Sequence, residues 1–573
     1  MTDARTFAAE AIAGFVAANP RYVVGIDGGV IRATVIPAGR VGLVIGGGSG
    51  HYPAFAGLVG PGLAAGAACG NIFASPSSGQ VYRVARSVER GAGLLLAFGN
   101  YAGDVLQFGL AAGRLREEGV DVRMLAVTDD IASAPAGQIH KRRGIAGDLA
   151  VFKIAGAAAE AGKSLGEVER LSRRANDRTR SLGVAFSGCT LPGAAAPLFN
   201  VTTGRMAVGL GVHGEPGLSE MPVTGARELA DLLVGRLLAE LPPTVDPRSS
   251  RAVAILNGLG SFKYEELFAL YGFVHEVLRA AKIEIADTEC GELVTSLDMA
   301  GVSLTLFWVD EELEALWKAP ADSAAYRRGT VKTKLGRARL RASHITKPAC
   351  EENVSEANSK AAAATLEHLR AVQATLLACE DELGRIDAVA GDGDHGIGMS
   401  RGVAGAVAAA ERVVAERGSL TRLLIEAGQA WSDRGGGTSG ALWGIALTSA
   451  GASLAGAETI DSSAVSRAVD AALLAAQELG KAKVGDKTLI DAFVPFADEL
   501  RLSLGSGEDL PTAWKAAARC ASKAAAETAS LLPLIGRARP HAERSRGHPD
   551  AGAISFSRIV AAVGERLAAR SSE

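Results

Sequence analysis

Val41-Gly42-Leu43-Val44-Ile45-Gly46-Gly47-Gly48-Ser49-Gly50-His51 sets the architecture of the first half of the chain. An apolar run of strand length breaks into glycines and stops at a histidine. A run without polar alternation reads as a strand covered on both faces, which is the habit of parallel sheets. Two further stretches repeat the pattern. Gly93-Leu94-Leu95-Leu96-Ala97-Phe98 ends at Gly99-Asn100-Tyr101-Ala102-Gly103-Asp104, and Val122-Arg123-Met124-Leu125-Ala126-Val127 ends at Thr128-Asp129-Asp130. Each is followed by a helical period, so the region reads as α/β. The polar residues fall just past the carboxyl ends of the strands, where open α/β sheets bind ligands.

Outward from there, Ala8 to Ala18 has helical spacing. Between Leu182 and Gly217 the pattern shortens to Val184-Ala185-Phe186 and Met206-Ala207-Val208-Gly209-Leu210-Gly211. Two more alternations run through Ala252–Leu256 and Val302–Leu306. Residues 1–318 thus read as two α/β lobes with parallel or mixed sheets, split near 180. Residues 319–356 are polar and basic (Arg327, Arg328, Lys332, Lys334, Arg337, Arg339, Arg341) and read as a solvated linker in preference to a nucleic-acid tail. From 357 to 573 strand signals give way to helical segments at 357–384, 399–416, 419–433, 440–453, 463–479, 488–504, 509–530 and 554–571. That is an all-α domain of eight helices.

A chain of 573 residues needs more than one core, and a net charge of −3 lacks the electrostatic drive of a nucleic-acid binder. No apolar run approaches a membrane span. Asp3 and Glu10 disfavour a signal peptide. The cysteines (Cys69, Cys189, Cys290, Cys350, Cys379, Cys520) show no metal or disulfide spacing. The expectation is a soluble, cytoplasmic, multidomain protein.

Four polar loops punctuate the helical region. In Asp387-Ala388-Val389-Ala390-Gly391-Asp392-Gly393-Asp394-His395-Gly396, three aspartates sit on a glycine-rich turn. Hard oxygen ligands there suit Mg²⁺, though a DGD turn alone reads equally as a surface Asx turn. An EF-hand is excluded, because Val403 stands where its bidentate Glu belongs. Arg434-Gly435-Gly436-Gly437-Thr438-Ser439-Gly440 precedes an apolar helix and offers an anion site without the Walker lysine. Val484–Asp491 and the stretch from Gly536 to Ala553 complete the set. Metal, phosphate and cationic groups at one end of a bundle fit nucleotide-triphosphate chemistry. In the α/β region, His51, Asp104 and His213 (within Gly211-Val212-His213-Gly214-Glu215-Pro216-Gly217) sit beside glycines that admit a ligand to the backbone.

These motifs resemble the dihydroxyacetone kinase family. The helical region carries GDGDHG, GGTSG, GDKT, GRA and ERSxGHxDxGA. The α/β region carries GGGSGH, NYxGD, VTDDIA, RRGIAG, SGCTLPG, GxHGEPG and TSLDMAG. The resemblance spans the chain apart from the linker, and it implies an ATP-dependent kinase with substrate and nucleotide domains fused. It implies that Asp387, Asp392 and Asp394 hold two Mg²⁺ ions. His395, Gly396, Ile397, Gly398, Thr438 and Ser439 would meet ATP phosphates. Gly480, Leu489, Arg537, Asp550, Ala551, Gly552 and Ala553 would line the nucleotide site. It further implies that His213 adds to the carbonyl of a short-chain ketose as a hemiaminal. Asp104 and His51 would be acid/base groups, and Gly47, Gly48, Ser49 and Gly50 backbone contacts to the sugar.

The resemblance also implies a homodimer in which a domain can be exchanged between chains. Three departures bear on substrate. Tyr52 and Phe55 replace an acid and a histidine, and Gly99 stands where dihydroxyacetone kinases commonly place a lysine. More room beside Gly99 would favour four-carbon erythrulose over dihydroxyacetone. The rival readings are a non-catalytic sugar sensor, a fatty-acid kinase, and a side activity cyclising FAD to cyclic FMN. The first predicts loss of the metal aspartates or His213, and the second lacks the His213 segment.

Overall fold

The structure, a computed structural model, describes residues 6–215, 217–247, 250–331, 354–391, 393–457, 459–535 and 542–570. The chain divides into two compact units, one ending at Ser343 and the other beginning at His344.

The first unit holds two sheets of six strands each. In the first sheet, β1 (Val23–Ile26), β2 (Gly29–Arg32), β3 (Gly42–Ser49), β4 (Gly66–Ile72), β5 (Leu94–Gly99) and β6 (Val122–Val127) lie in the order β1-β2-β4-β3-β5-β6. β3 runs parallel to β4 and β5, and β5 parallel to β6. Their carboxyl ends therefore share one edge. The second sheet contains β7 (Thr179–Ala185), β8 (Arg205–Val208), β9 (Ser219–Pro222), β10 (Arg251–Gly258), β11 (Glu284–Gly291) and β12 (Gly301–Val309). It is antiparallel except for the β10–β11 pair.

Between the sheets lies the helix Asp148–Glu160, buried from Asp148 to Ala159. Its sequence is apolar or small on every side, as a helix without a solvent face must be. Leu43, Ile45, Leu95 and Ala97 of the first sheet and Val253, Ile255, Phe307 and Val309 of the second join it in one core. Asp148 at its start and Lys153 within it are exceptions, and the Lys153 ammonium donates to the Leu316 carbonyl at 2.8 Å.

Two expectations need correction here. The strand β3 does not stop at Gly46. It continues through the glycines to Ser49, pairing with β4 across a register shift. A Cβ on Gly46 would lie 2.4 Å from the Ala68 oxygen, so these glycines serve strand packing as well as ligand approach. The linker does not begin at 319. Ala321–Asp322 pairs with Arg327–Arg328 as a short hairpin, and Ala321 and Tyr326 are buried in the first unit's core. Arg328 is no solvated charge, since it pairs with Asp287 and Glu289. Residues 332–353 of the expected linker lie outside the described residues.

The second unit is all helix around a single core. Nine helices occur among its described residues, where eight were expected, because the segment 357–384 is two helices, Glu356–Ala378 and Glu380–Asp387, broken at Cys379. The others are His395–Ala415, Leu420–Gly435, Gly437–Ser453, Ser462–Gly480, Ile490–Gly505, Leu510–Glu527 and Ala551–Arg570. Ser355, Ser419, Asp461 and Asp509 cap the helices that follow them, each accepting a backbone N–H. Among the described residues no helix is long and apolar enough to cross a membrane.

Candidate active site

At the carboxyl edge of the first sheet, β3 delivers His51 into the protein, where it is 4% exposed. Its Nδ1 lies 2.7 Å from the Thr295 carbonyl oxygen, and its ring stacks on Phe73 with centroids 4.9 Å apart. Its Nε2 faces the Nε2 of His213 at 3.0 Å. The His213 ring turns its other nitrogen, Nδ1, to Glu215 Oε1 at 3.0 Å, and its backbone N–H donates to Glu215 Oε2 at 3.0 Å. Two distant histidines thus meet nitrogen to nitrogen, each held at its far side by an acceptor.

The surroundings are buried and charged. Burial, with repulsion from His213, pushes the His51 imidazole down to about 3. Burial alone would raise the Glu215 carboxyl, but His213 and Arg143 hold it well below the usual carboxylate range. Tyr101 sets its ring edge-on to His213 with centroids 4.9 Å apart, and its hydroxyl is buried with no hydrogen-bond partner among the described residues. Asp104 is buried in the first turn of the helix Ala102–Glu117, which leaves the end of β5 beside β3.

The end of β3 with the glycine after it, from Gly47 to Gly50, is tightly walled. A Cβ on Gly47 would lie 2.3 Å from the Phe55 ring, and one on Gly48 would lie 2.7 Å from the Phe73 backbone. Ser49 Oγ donates to the Gly70 carbonyl at 2.6 Å. At Gly99 itself the packing is close. A Cβ there would meet Tyr101 Cε2 at 3.1 Å and the Gly144 oxygen at 3.4 Å. Sequence reasoning gave no part to Glu215, Tyr101, Phe73 or Thr295. Glu215, Tyr101 and Thr295 stand inside the motifs GxHGEPG, NYxGD and TSLDMAG, which is the signal available in the sequence.

The two aspartates of VTDDIA separate in role. Asp129 accepts from the N–H groups of Ile145 and Gly147 at 2.9 and 2.8 Å and so anchors the turn into the central helix. Asp130 instead takes the Arg143 guanidinium, with Nε at 3.0 Å and Nη2 at 2.8 Å.

In the second unit, three helix starts converge on His395. Its Nε2 lies 2.9 Å from Ser555 Oγ and its Nδ1 3.2 Å from Ser439 Oγ. Ser439 is in the first turn of Gly437–Ser453, with Thr438 beside it, and Ser555 in the first turns of Ala551–Arg570. Unsatisfied N–H groups at such ends make an anion cradle. Gly396 permits it, since a Cβ there would lie 2.0 Å from the Glu380 oxygen. Ile397 and Gly398 follow in the same first turn.

Asp550 Oδ1 accepts the Ala553 N–H at 2.7 Å and shapes the turn through Ala551 and Gly552. A Cβ on Gly552 would meet Leu489 at 3.4 Å, and one on Gly480 would meet Leu442 at 3.2 Å. Lys487 ties the loop down, its ammonium donating to the Leu531 carbonyl and to the Ser545 carbonyl and hydroxyl at 3.1, 2.7 and 3.1 Å. Arg537 and Asp392 lie outside the described residues.

The donors present suit a cation. Asp387 Oδ2 is buried with no hydrogen-bond partner among the described residues. Burial, with Asp387 nearby, pushes the Asp394 carboxyl up to about 7, and burial pushes Asp550 to about 7 as well. Buried acids that repel one another are stabilised by an added positive ion. Among the described residues no group of three acidic, histidine or cysteine side chains is placed to hold a metal.

Two domain families match the chain, the Dak1 domain over residues 13–325 and the DAK2 domain over residues 389–565. The chain is 52% identical over 559 residues to the L-erythrulose kinase of Pectobacterium atrosepticum, covering 97% of this chain and 94% of that one. It is 50% identical to the D-erythrulose kinase of Mycolicibacterium smegmatis, over 98% of this chain and 97% of that enzyme. The crystal structure of the dihydroxyacetone kinase from C. freundii in complex with AMP-PNP and Mg²⁺ is 31% identical, covers 99% of each chain and superposes with a TM-score of 0.52.

Proposed function

The chain belongs to the dihydroxyacetone kinase family, and from that premise we propose that it is an ATP-dependent kinase of a short-chain ketose. The ketose is held as a hemiaminal on His213, and a terminal hydroxyl receives the phosphoryl group. Erythrulose is the favoured substrate and dihydroxyacetone the runner-up. Relatives near half identity named for erythrulose of either hand support the first.

The buried imidazole pair carries the reading. A carbonyl oxygen only accepts, so His51 Nδ1 supplies the proton of its 2.7 Å bond to Thr295. Ionised Glu215 also only accepts, so His213 Nδ1 supplies the proton at 3.0 Å. With both Nδ1 atoms protonated, the 3.0 Å contact between the two Nε2 atoms needs one more proton between the rings. That proton is the one carbonyl addition requires, and because burial leaves His51 a weak base, His51 gives it up readily to the substrate oxygen. His213 Nε2 bonds to the carbonyl carbon, the C=O π pair moves to oxygen, and the shared proton passes by way of His51 to that oxygen. His213 ends as a substituted imidazolium whose charge Glu215 balances. A polyol without a carbonyl cannot enter this step.

Asp104, buried at a helix start beyond β5, then accepts the proton of the terminal hydroxyl as its oxygen bonds to the γ-phosphorus and the bond to ADP breaks. In the second unit, His395, Thr438, Ser439 and the N–H groups at the helix starts bind the phosphates. Gly480, Leu489, Arg537 and Asp550 to Ala553 hold the nucleotide. Two Mg²⁺ ions on Asp387, Asp392 and Asp394 would neutralise phosphate charge. Transfer requires hydroxyl and γ-phosphate in line, within one chain or across a homodimer that exchanges a domain.

The test is ADP release from Mg-ATP with D- and L-erythrulose, dihydroxyacetone and glycerol, alongside His213→Ala. Turnover on an erythrulose, none on glycerol and a large loss in His213→Ala are expected. Equal turnover on glycerol would refute carbonyl capture, and no turnover on any ketose would return the chain to a sensor role.

A further inference from the structure

The Asp130–Arg143 pair takes no part in the transfer steps, although it adjoins the same histidine and glutamate. Arg143 lies in the RRGIAG stretch, far in sequence from His213. Its guanidinium bonds Asp130 through Nε and Nη2 at 3.0 and 2.8 Å and the Gly209 carbonyl through Nη2 at 3.3 Å. Its third nitrogen, Nη1, stands 3.7 Å from Glu215 Oε2. Asp130 is itself pinned, accepting the Ala132 N–H at 3.0 Å, and it is 1% exposed. The backbone beneath is shaped for the contact. A Cβ on Gly211 would fall 2.1 Å from Glu215 Oε2 and 2.5 Å from Arg143 Nη1. A side chain at that position would drive the carboxylate and the guanidinium apart.

We propose that Asp130 and Arg143 are positioning residues for His213, acting through Glu215. Asp130 orients the Arg143 fork, Arg143 keeps the Glu215 carboxylate ionised and aimed, and Glu215 retains the proton on His213 Nδ1. Nε2 is thereby reserved as the nitrogen that meets the carbonyl. Without the cation, a buried Glu215 becomes more basic and takes up a proton as pH falls. A protonated Glu215 can itself donate to Nδ1, and the proton between the rings then stays on His213 Nε2, where it blocks addition, instead of passing to His51. Glu215 is faced by His213 and Arg143 directly, with His51, Tyr101, Asp130 and Cys189 within electrostatic reach.

This rests on the carbonyl-capture reading, so the experiment separates the two. The full-length protein, without nucleotide, is mixed with ketose labelled with ¹³C at the carbonyl, and adduct is followed by NMR across pH. The wild-type enzyme should convert the carbonyl signal to that of a tetrahedral carbon, and His213→Ala should not. In Arg143→Met the adduct should fall about tenfold or more, the scale seen when partners that orient metal-bound histidines are removed. Its acidic limb should move to higher pH, with Arg143→Lys lying between. Glu215→Gln cannot titrate, so Arg143→Met added to it should cause no further shift, which a double-mutant cycle measures. Asp130→Asn should move the limb in the same direction, and it serves in place of Arg143→Met if the latter does not melt like wild type.

An adduct in the wild type with an unshifted acidic limb in both Arg143→Met and Asp130→Asn would overturn the positioning role alone. No adduct in the wild type would overturn the capture reading together with it.

Discussion

Gly99 lies where the pocket departs from the family pattern, and its surroundings make the departure testable. A Cβ there comes within 3.1 Å of Tyr101 Cε2, so a lysine would crowd the Tyr101 ring that packs edge-on to His213. Gly99→Lys should therefore lower kcat/KM for erythrulose by about tenfold, roughly 1.4 kcal/mol, and lower it less for dihydroxyacetone, which is one carbon shorter. Steady-state kinetics on both ketoses decide it, and an equal loss on both would reject a role in substrate length.

Lys153 supplies a second prediction. Burial, with Arg328 near, lowers its ammonium from 10.5 to about 7. The folded chain then binds one proton fewer than the unfolded chain between those values. Stability contributed here is low below about pH 7 and rises as pH climbs toward 10.5. Relative to Lys153→Met, the wild type should gain up to about 1.4 kcal/mol per pH unit in that window. Denaturant midpoints at pH 7 and pH 9 measure the difference, and a gap that does not change with pH would show the amine to be ordinary. His51, Asp104 and His213 stood out in the sequence because glycines flank strand ends. Arg143 stands within the quoted RRGIAG but with no role of its own, since nothing local tells a guanidinium that braces Glu215 from one that faces water.

The helix His395–Ala415 shows how one start can depend on one missing methyl group. Its Gly396 packs against the carbonyl of Glu380, where a Cβ would lie 2.0 Å away. Gly396→Ala must displace backbone, because the obstructing atom cannot rotate aside. The expected outcome is a loss of about 1–3 kcal/mol from the second unit. Weaker Mg-ATP binding should accompany it, because the same turn carries His395 between Ser439 and Ser555. Thermal melting and nucleotide titration test the two effects, and unchanged melting would mean the helix start yields freely.

Helical periodicity made nearly every element of this unit legible before the structure. It missed the break at Cys379, where the chain leaves helical geometry at φ −112° and ψ 15° without glycine or proline. The hairpin at Ala321–Arg328 was missed for the opposite reason. Its arginines suggested solvent, whereas Arg328 is committed to Asp287 and Glu289 and Tyr326 hydrogen-bonds Glu289. Local composition reports charge, not whether a partner waits elsewhere on the chain.

Across the chain, apolar burial falls into separate cores. The largest cluster of the helical unit runs from Ala362 to Ala562, and none of its members belongs to the first unit. The first unit's clusters draw only on residues up to Tyr326. A ligand that binds only a folded unit stabilises that unit by RT ln(1 + [L]/Kd), about 2.7 kcal/mol at a hundredfold excess over Kd. Calorimetry should therefore show ketose alone raising one transition and a non-hydrolysable Mg-nucleotide raising another. His213→Ala should erase the ketose response and leave the nucleotide response intact, while Asp387→Asn should do the reverse. If either ligand alone moved the whole unfolding profile as one transition, the two units would be a single cooperative body. The assignment of ketose to the first unit and nucleotide to the second would then have to rest on the variants alone.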